Sequence, residues 1–211
     1  MYTYFAFGLG ILLLAILIAL IWRLVSHRRE LPCPVWLHWM VEMENPFTRV
    51  SRAAVIIEHL DLQPGMKALD FGCGPGRVTI PMAERVGSQG QVTAVDLQDG
   101  MIQRAQEKAR AKNLDNIHFV QAAAGQGKIG KNQFDRAVLV TVLGEIPNQK
   151  SAMQELFDSI RPGGILSVTE IIFDPHFQSR NSVTQVAQSV GFCEKAFFGS
   201  QLAYTLNFEK P

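Results

Sequence analysis

From residue 61 onward the apolar positions alternate between short continuous runs and longer stretches in which they recur every three or four residues. The continuous runs predict strands at 68–71, 92–97, 117–122, 134–143 and 165–172. The helical spacing predicts helices at about 78–86, 100–113, 149–160 and 182–190. Strands that alternate with helices imply a largely parallel sheet covered on both faces, an α/β domain. A last pair of strands, near 194–198 and 202–208 and joined at Gly199-Ser200, predicts a hairpin. Pro162-Gly163-Gly164 is expected to stop the helix before it, Ser182 with Gln185 to form a capping box, and Gly191 to end the last helix.

The pattern before residue 61 is different. Residues 5–22 carry no charge, which at 1.5 Å per residue is enough to cross a hydrocarbon core of roughly 30 Å. No basic residue precedes the run and no small-residue cleavage site closes it, so a removable signal is not predicted. Arg23, Arg28 and Arg29 follow it, which predicts a single-pass anchor with the rest of the chain on the cytoplasmic side of the membrane. Tyr2, Tyr4 and Trp22 would mark the two interfaces. The alternative for this run is a buried core helix.

Pro32 and Pro34 then interrupt the chain before a stretch holding Trp36, His38 and Trp39. It suits an interfacial helix, or a lid over a substrate pocket with those three side chains as candidate substrate contacts. Asn45-Pro46 is expected to open a further helix, with Phe47, Val50, Ala54, Ile57 and Leu60 on one face. The organisation expected is thus an anchor at 1–24, juxtamembrane and lid helices at 25–60, and one α/β domain at 61–211.

Composition narrows the partners more than the fold. Across 211 residues the formal net charge is +1, which gives no reason to expect nucleic acid. Cys33, Cys73 and Cys193 are odd in number and widely spaced, without metal-ligand spacing, and reduced thiols are expected.

The densest chemical signal is Asp70-Phe71-Gly72-Cys73-Gly74-Pro75-Gly76-Arg77, a strand end, a glycine turn and a helix start. Glycines at alternate positions let backbone amides approach a ligand that a Cβ would hold off. The next strand ends in Asp96, an acid placed to take ribose hydroxyls. The glycine order is not that of the dinucleotide pattern, and the chain here resembles the class I S-adenosylmethionine-dependent methyltransferases. Within them it looks most like the small-molecule branch that includes the quinone-biosynthesis C-methyltransferases. Phe134-Asp135-Arg136-Ala137 and Arg161-Pro162-Gly163-Gly164 extend the likeness, which runs from about residue 60 to the C-terminus.

The resemblance implies a Rossmann-like seven-stranded sheet, mostly parallel with an antiparallel last strand, and S-adenosyl-L-methionine as cofactor. It implies that Asp70 and the backbone of Gly72, Cys73 and Gly74 lie by the methionine part, that Gly76 also serves cofactor binding, that Asp96 receives the ribose, and that Leu97 and Met101 flank the adenine. Many relatives end the third strand with Gly-Asp, where this chain has Gln121-Ala122-Ala123. Thr141, Glu145, Glu170, Asp174 and His176 are expected on the carboxyl edge of the sheet, where ligands of open α/β sheets bind, with Thr141 at the cofactor and His176 and Glu145 as candidate bases. The expected function is a membrane-anchored methyltransferase for a hydrophobic small molecule such as a quinone precursor, lipid or thiol. A cofactor-binding scaffold without turnover and a nicotinamide dehydrogenase are the alternatives.

Overall fold

The computed structural model describes residues 7, 8, 10, 17, 33–44 and 48–211. The expected membrane-spanning helix at 5–22 lies, apart from residues 7, 8, 10 and 17, outside the described residues, as do Asn45, Pro46 and Phe47. Among the described residues no helix is long and apolar enough to cross a membrane.

Seven strands form one sheet in the order β3-β2-β1-β4-β5-β7-β6. They are β1 Lys67–Phe71, β2 Gln91–Asp96, β3 Ile117–Gln121, β4 Phe134–Val140, β5 Ile160–Ile171, β6 Cys193–Gly199 and β7 Ala203–Glu209. The first five are parallel, while β7 runs antiparallel to both β5 and β6. Among the described residues from 33 onward, six helices accompany the strands: α1 His38–Glu42, α2 Ala53–His59, α3 Thr79–Val86, α4 Asp99–Ala111, α5 Gln149–Ser159 and α6 Arg180–Ser189. The parallel order reverses between β1 and β4, and open α/β sheets take ligands at the carboxyl end of such a switch point.

One face of the sheet buries Leu69, Leu139, Leu156 and Phe208 together, and the other buries Ile56, Leu62, Met82 and Val138. Both faces being covered explains why the central strands read as unbroken apolar runs. Polar anchors fix the edges. The Asp135 Oδ2 accepts from the Lys67 amide at 2.7 Å, tying the start of β4 to the start of β1. Lys210 Nζ donates to Asn132 Oδ1, the Phe157 carbonyl and the Ile160 carbonyl at 2.9, 2.7 and 2.7 Å. Lys210→Met leaves those acceptors without a donor and is expected to cost about 2 to 3 kcal/mol in a denaturant titration.

Four expectations are corrected. The helix predicted to run on to Leu60 is broken: a 3-10 turn spans Arg49–Ser51, Arg52 is extended at φ −70° and ψ 137°, and α2 starts only at Ala53. The fourth strand ends at Val140 and not at residue 143, because Thr141 takes φ +54° and a 3-10 turn follows at Leu143–Glu145. The fifth strand starts at Ile160, so Pro162-Gly163-Gly164 does not stop a helix. Ile160 pairs with Phe134, while Gly163 donates to the Lys210 carbonyl and Lys210 to the Gly164 carbonyl. The cap of α6 is Ser179, whose hydroxyl accepts from the Ser182 amide, in place of the predicted Ser182 and Gln185 box.

Candidate active site

A cavity of about 640 Å³ opens at the carboxyl ends of β1 to β5. Its floor is the glycine turn after β1. Gly72 has φ +81°, and a Cβ there would lie 2.4 Å from Val142 Cγ2, so positive φ and close packing both require glycine. Gly74 has φ +51° and the opposite surroundings: a Cβ would meet only Val41 Cγ1, at 3.6 Å. The main chain at Gly74 is therefore bare toward the cavity. Gly76 lies behind the turn, against Ala105 of α4, and is not part of the lining.

Asp96 ends β2 on the cavity wall. Its Oδ2 accepts from the Gly74 amide and its Oδ1 from the Gln98 amide, both at 2.8 Å. The carboxylate is thus fixed against the glycine turn by two main-chain donors. Burial raises its pKa, and the amides of Gln98, Gly74 and Leu97 oppose that shift. Leu97 stands at the rim, Met101 is buried beneath it, and the chain after β3 adds Ala122 and Ala124 to the wall. Gln121 reaches instead to the Leu97 carbonyl, at 3.2 Å, and no carboxylate follows β3 into this part of the cavity.

Asp70 and Cys73 support the turn from behind, outside the lining. The Thr79 hydroxyl donates to Asp70 Oδ2 at 2.6 Å. Burial pushes the Asp70 carboxyl up to about 6, although Thr79 and Arg77 favour its charged form. Burial, with Asp70 and Asp96 nearby, holds the Cys73 thiol well above its ordinary range. Burial likewise raises Cys33 to about 11, with Glu145 and Asp174 adding to the shift. Iodoacetamide at neutral pH is accordingly expected to modify exposed Cys193 in the folded protein and to spare Cys73, a pattern that peptide mass mapping reads directly.

The opposite wall comes from β4 and β5. Thr141 lines the cavity in the left-handed region, unusual for a β-branched residue, held by its amide on the Thr169 carbonyl at 2.9 Å. Glu145 and His176, predicted from separate loops, meet here: His176 Nδ1 is 3.8 Å from Glu145 Oε1 and 3.9 Å from Asp174 Oδ1. Burial, then the charges of Asp174 and Asp96, push Glu145 up to about 8, while the Cys33 backbone amide donates to it and works against the shift. Glu170 lies deeper, outside the lining, its Oε2 accepting from the Gln178 amide at 3.2 Å. Burial holds Glu170 well above the ordinary carboxylate range.

The segment from Cys33 to Glu44 closes the cavity from above. Gln98 Nε2 donates to the Cys33 carbonyl at 2.9 Å, Glu42 pairs with Lys108 at 3.0 Å, and Glu44 Oε1 accepts from the Ala53 amide at 3.1 Å. Val41 faces Gly74, and Val35 packs on Gly100. Trp36, His38 and Trp39 do not line the cavity. Trp36 and Trp39 point outward, and His38 Nδ1 lies 3.1 Å from the Val35 carbonyl. Sequence reasoning singled out the aromatic side of this segment and missed the inner one, Cys33 and Val41. Helical spacing separates the two sides without saying which one faces the domain.

The family described as Methyltransferase domain matches residues 62–207. The chain belongs to the S-adenosylmethionine-dependent methyltransferases. Among curated methyltransferases, the ubiquinone/menaquinone biosynthesis C-methyltransferase UbiE of Shewanella sediminis is 34% identical over 121 residues, 57% of this chain and 48% of that protein. The demethylmenaquinone methyltransferase of Geobacillus stearothermophilus is 31% identical over 110 residues, 52% and 47% of the two chains. The chain therefore spans about half the length of the curated relatives it matches. A solved S-adenosylmethionine-dependent methyltransferase from Aquifex aeolicus superposes with a TM-score of 0.76 at 17% identity, over 85% of this chain and 100% of that one. The [4+2]-cyclase SpnF superposes at 0.68 and 18% identity, over 75% and 80%. Shared fold with a cyclase leaves the reaction of this methyltransferase to be argued from its own site.

That site suits the family's cofactor. The bare main chain at Gly74, the carboxylate of Asp96 beside it and the apolar wall of Val95, Met101 and Ala122 offer a nucleoside both a polar grip and a place for its base.

Proposed function

We propose that this methyltransferase transfers a methyl group to a hydrophobic small molecule, a quinone precursor, lipid or thiol, and that residues 5–22 anchor it in a membrane with the α/β domain on the cytoplasmic side. The observation that carries the reading is the convergence of Gly74 and Asp96 with an apolar acceptor wall, Ile146, Ile171 and Phe173, in one cavity. Bound there, S-adenosylmethionine supplies a methyl already made electrophilic by its sulfonium. The Asp96 carboxylate, through the lone pairs that the Gly74 and Gln98 amides leave, would take the ribose hydroxyls, over the bare main chain of Gly74. Val41 and the rest of the Cys33 to Glu44 segment keep water from it. Glu145 and His176 stand where a proton given up by a neutral acceptor can be taken. The quinone-biosynthesis names of the curated relatives point toward the same substrate class.

Incubation of the full chain with methyl-labelled S-adenosylmethionine and a lipid extract is expected to move label into the organic phase. Absence of labelled product would remove this substrate class. A second reading, a cofactor-binding scaffold without turnover, is favoured by one observation: the cavity wall after β3 is Ala122-Ala123-Ala124, with no carboxylate for the adenine amino group. Saturable binding without transfer to any component of the extract is its signature.

A further inference from the structure

From residue 33 onward, the large apolar side chains that stand at least half exposed among the described residues are Trp36, Trp39, Met43, Leu97, Phe173 and Leu202. All six lie at one end of the molecule, the carboxyl end of the parallel strands. Met43, Leu97 and Phe173 also line the cavity, so with exposures of 60%, 54% and 66% they form its rim. Trp36, Trp39 and Met43, spaced by three and four residues, form the outer stripe of the covering segment, and Met43 joins that stripe to the rim. Leu202 adjoins Phe173 through the bond from the Ile172 amide to the Leu202 carbonyl, at 2.7 Å. Single exposed apolar residues are ordinary, but a continuous set around one opening marks an interaction surface.

We infer that the mouth of the cavity rests on a lipid bilayer, so that a hydrophobic acceptor enters from the membrane past Met43 and Phe173 without crossing water. The inference rests on the proposed anchor and goes beyond it by fixing which face of the domain meets the lipid. Only ten residues, 23–32, separate the uncharged run from Cys33, a reach of at most about 35 Å even fully extended. The rim is therefore held near whichever bilayer takes up the run. Arg23, Arg28 and Arg29 within that connection suit anionic headgroups, and tryptophans settle at headgroup depth.

The test uses the full chain in vesicles of phosphatidylcholine and phosphatidylglycerol, with and without bromine on the upper acyl carbons. The chain has three tryptophans, so Trp22→Phe leaves Trp36 and Trp39 as emitters. Phe173→Trp, with Trp22, Trp36 and Trp39 all changed to Phe, reports on the rim alone. Melting temperatures confirm that both variants fold. The expected result is blue-shifted emission that is largely lost with brominated lipid in both variants. Quenching of Trp36 and Trp39 without quenching at residue 173 overturns the inference, because only the covering segment then touches lipid. Unquenched emission from protein that resists alkaline carbonate extraction overturns it while leaving the anchor intact. Unquenched emission from extractable protein overturns both. Emission that changes with protein concentration and ignores bromine assigns the rim to a second copy of the chain, and also overturns it.

Discussion

Asp96→Ala is expected to weaken binding of S-adenosylhomocysteine by on the order of 100-fold, close to 2.7 kcal/mol, because a half-buried charged acceptor of ribose hydroxyls is lost. The same carboxylate holds the Gly74 and Gln98 amides, so the substitution also frees the turn that forms the floor. Asp96→Asn separates the two effects. An amide side chain can accept from one of those amides but presents a donor to the other, so the turn stays half anchored. We expect a loss of affinity between the wild type and the alanine variant. The melting temperature should change little in either case, since removing a carboxylate that burial disfavours offsets part of the lost hydrogen bonding. Calorimetric titration gives the affinities and a thermal scan the stability.

Glu145→Gln is expected to change how stability depends on pH more than stability itself. In the folded protein burial pushes Glu145 up to about 8, against 4.5 for the ordinary group. Between those values the folded state keeps a proton that the unfolded chain releases. Stability is therefore greatest at the acid side of the window and declines as pH rises through it, at up to about 1.4 kcal/mol per pH unit. With the side chain 22% exposed, solvent reduces the total to on the order of 2 to 4 kcal/mol. The glutamine variant loses that slope. Asp70, raised to about 6, declines in the same direction over the acid part of the window in both proteins. The difference between them is therefore cleanest from pH 6 to 8, measured by urea titration at stepped pH. A positive charge brought into the cavity favours the carboxylate form of Glu145. Glu145 is thus expected to release a proton when S-adenosylmethionine binds and to keep it with the uncharged sulfur of S-adenosylhomocysteine. Titrations in two buffers of different ionisation heat measure that release, and Glu145→Gln should abolish the difference.

What the sequence carried plainly was local. The strand from Lys67, the glycine turn, and the second strand ending at Asp96 each declare themselves within a few residues, by apolar runs and by the residue type that takes positive φ without steric cost. The antiparallel hairpin at the end was equally visible, because its turn residues sit between two β-rich runs. What stayed hidden depends on contacts distant in sequence. The extended path from Ile160 to Gly164 is enforced by pairing with Phe134 and with Lys210, and in isolation Pro162-Gly163-Gly164 suggests only a helix stop. The break at Arg52 separates a 3-10 turn from α2 within a stretch whose apolar spacing fits one continuous helix. Glu145 and His176 were legible as edge residues, while their approach to 3.8 Å follows from β4 and β5 being neighbours. The orientation of the covering segment is the clearest gap. Two tryptophans attract attention as substrate contacts, yet Val35 and Val41 are the residues turned inward.

The site stands on one claim, that the hollow between Gly74 and Asp96 holds the nucleoside of S-adenosylmethionine. Calorimetric titration of the full chain with S-adenosylhomocysteine, and separately with NAD, tests it most directly. The expected result is saturable binding of S-adenosylhomocysteine at one site per chain, with no heat from NAD. Binding of NAD without binding of S-adenosylhomocysteine would contradict it.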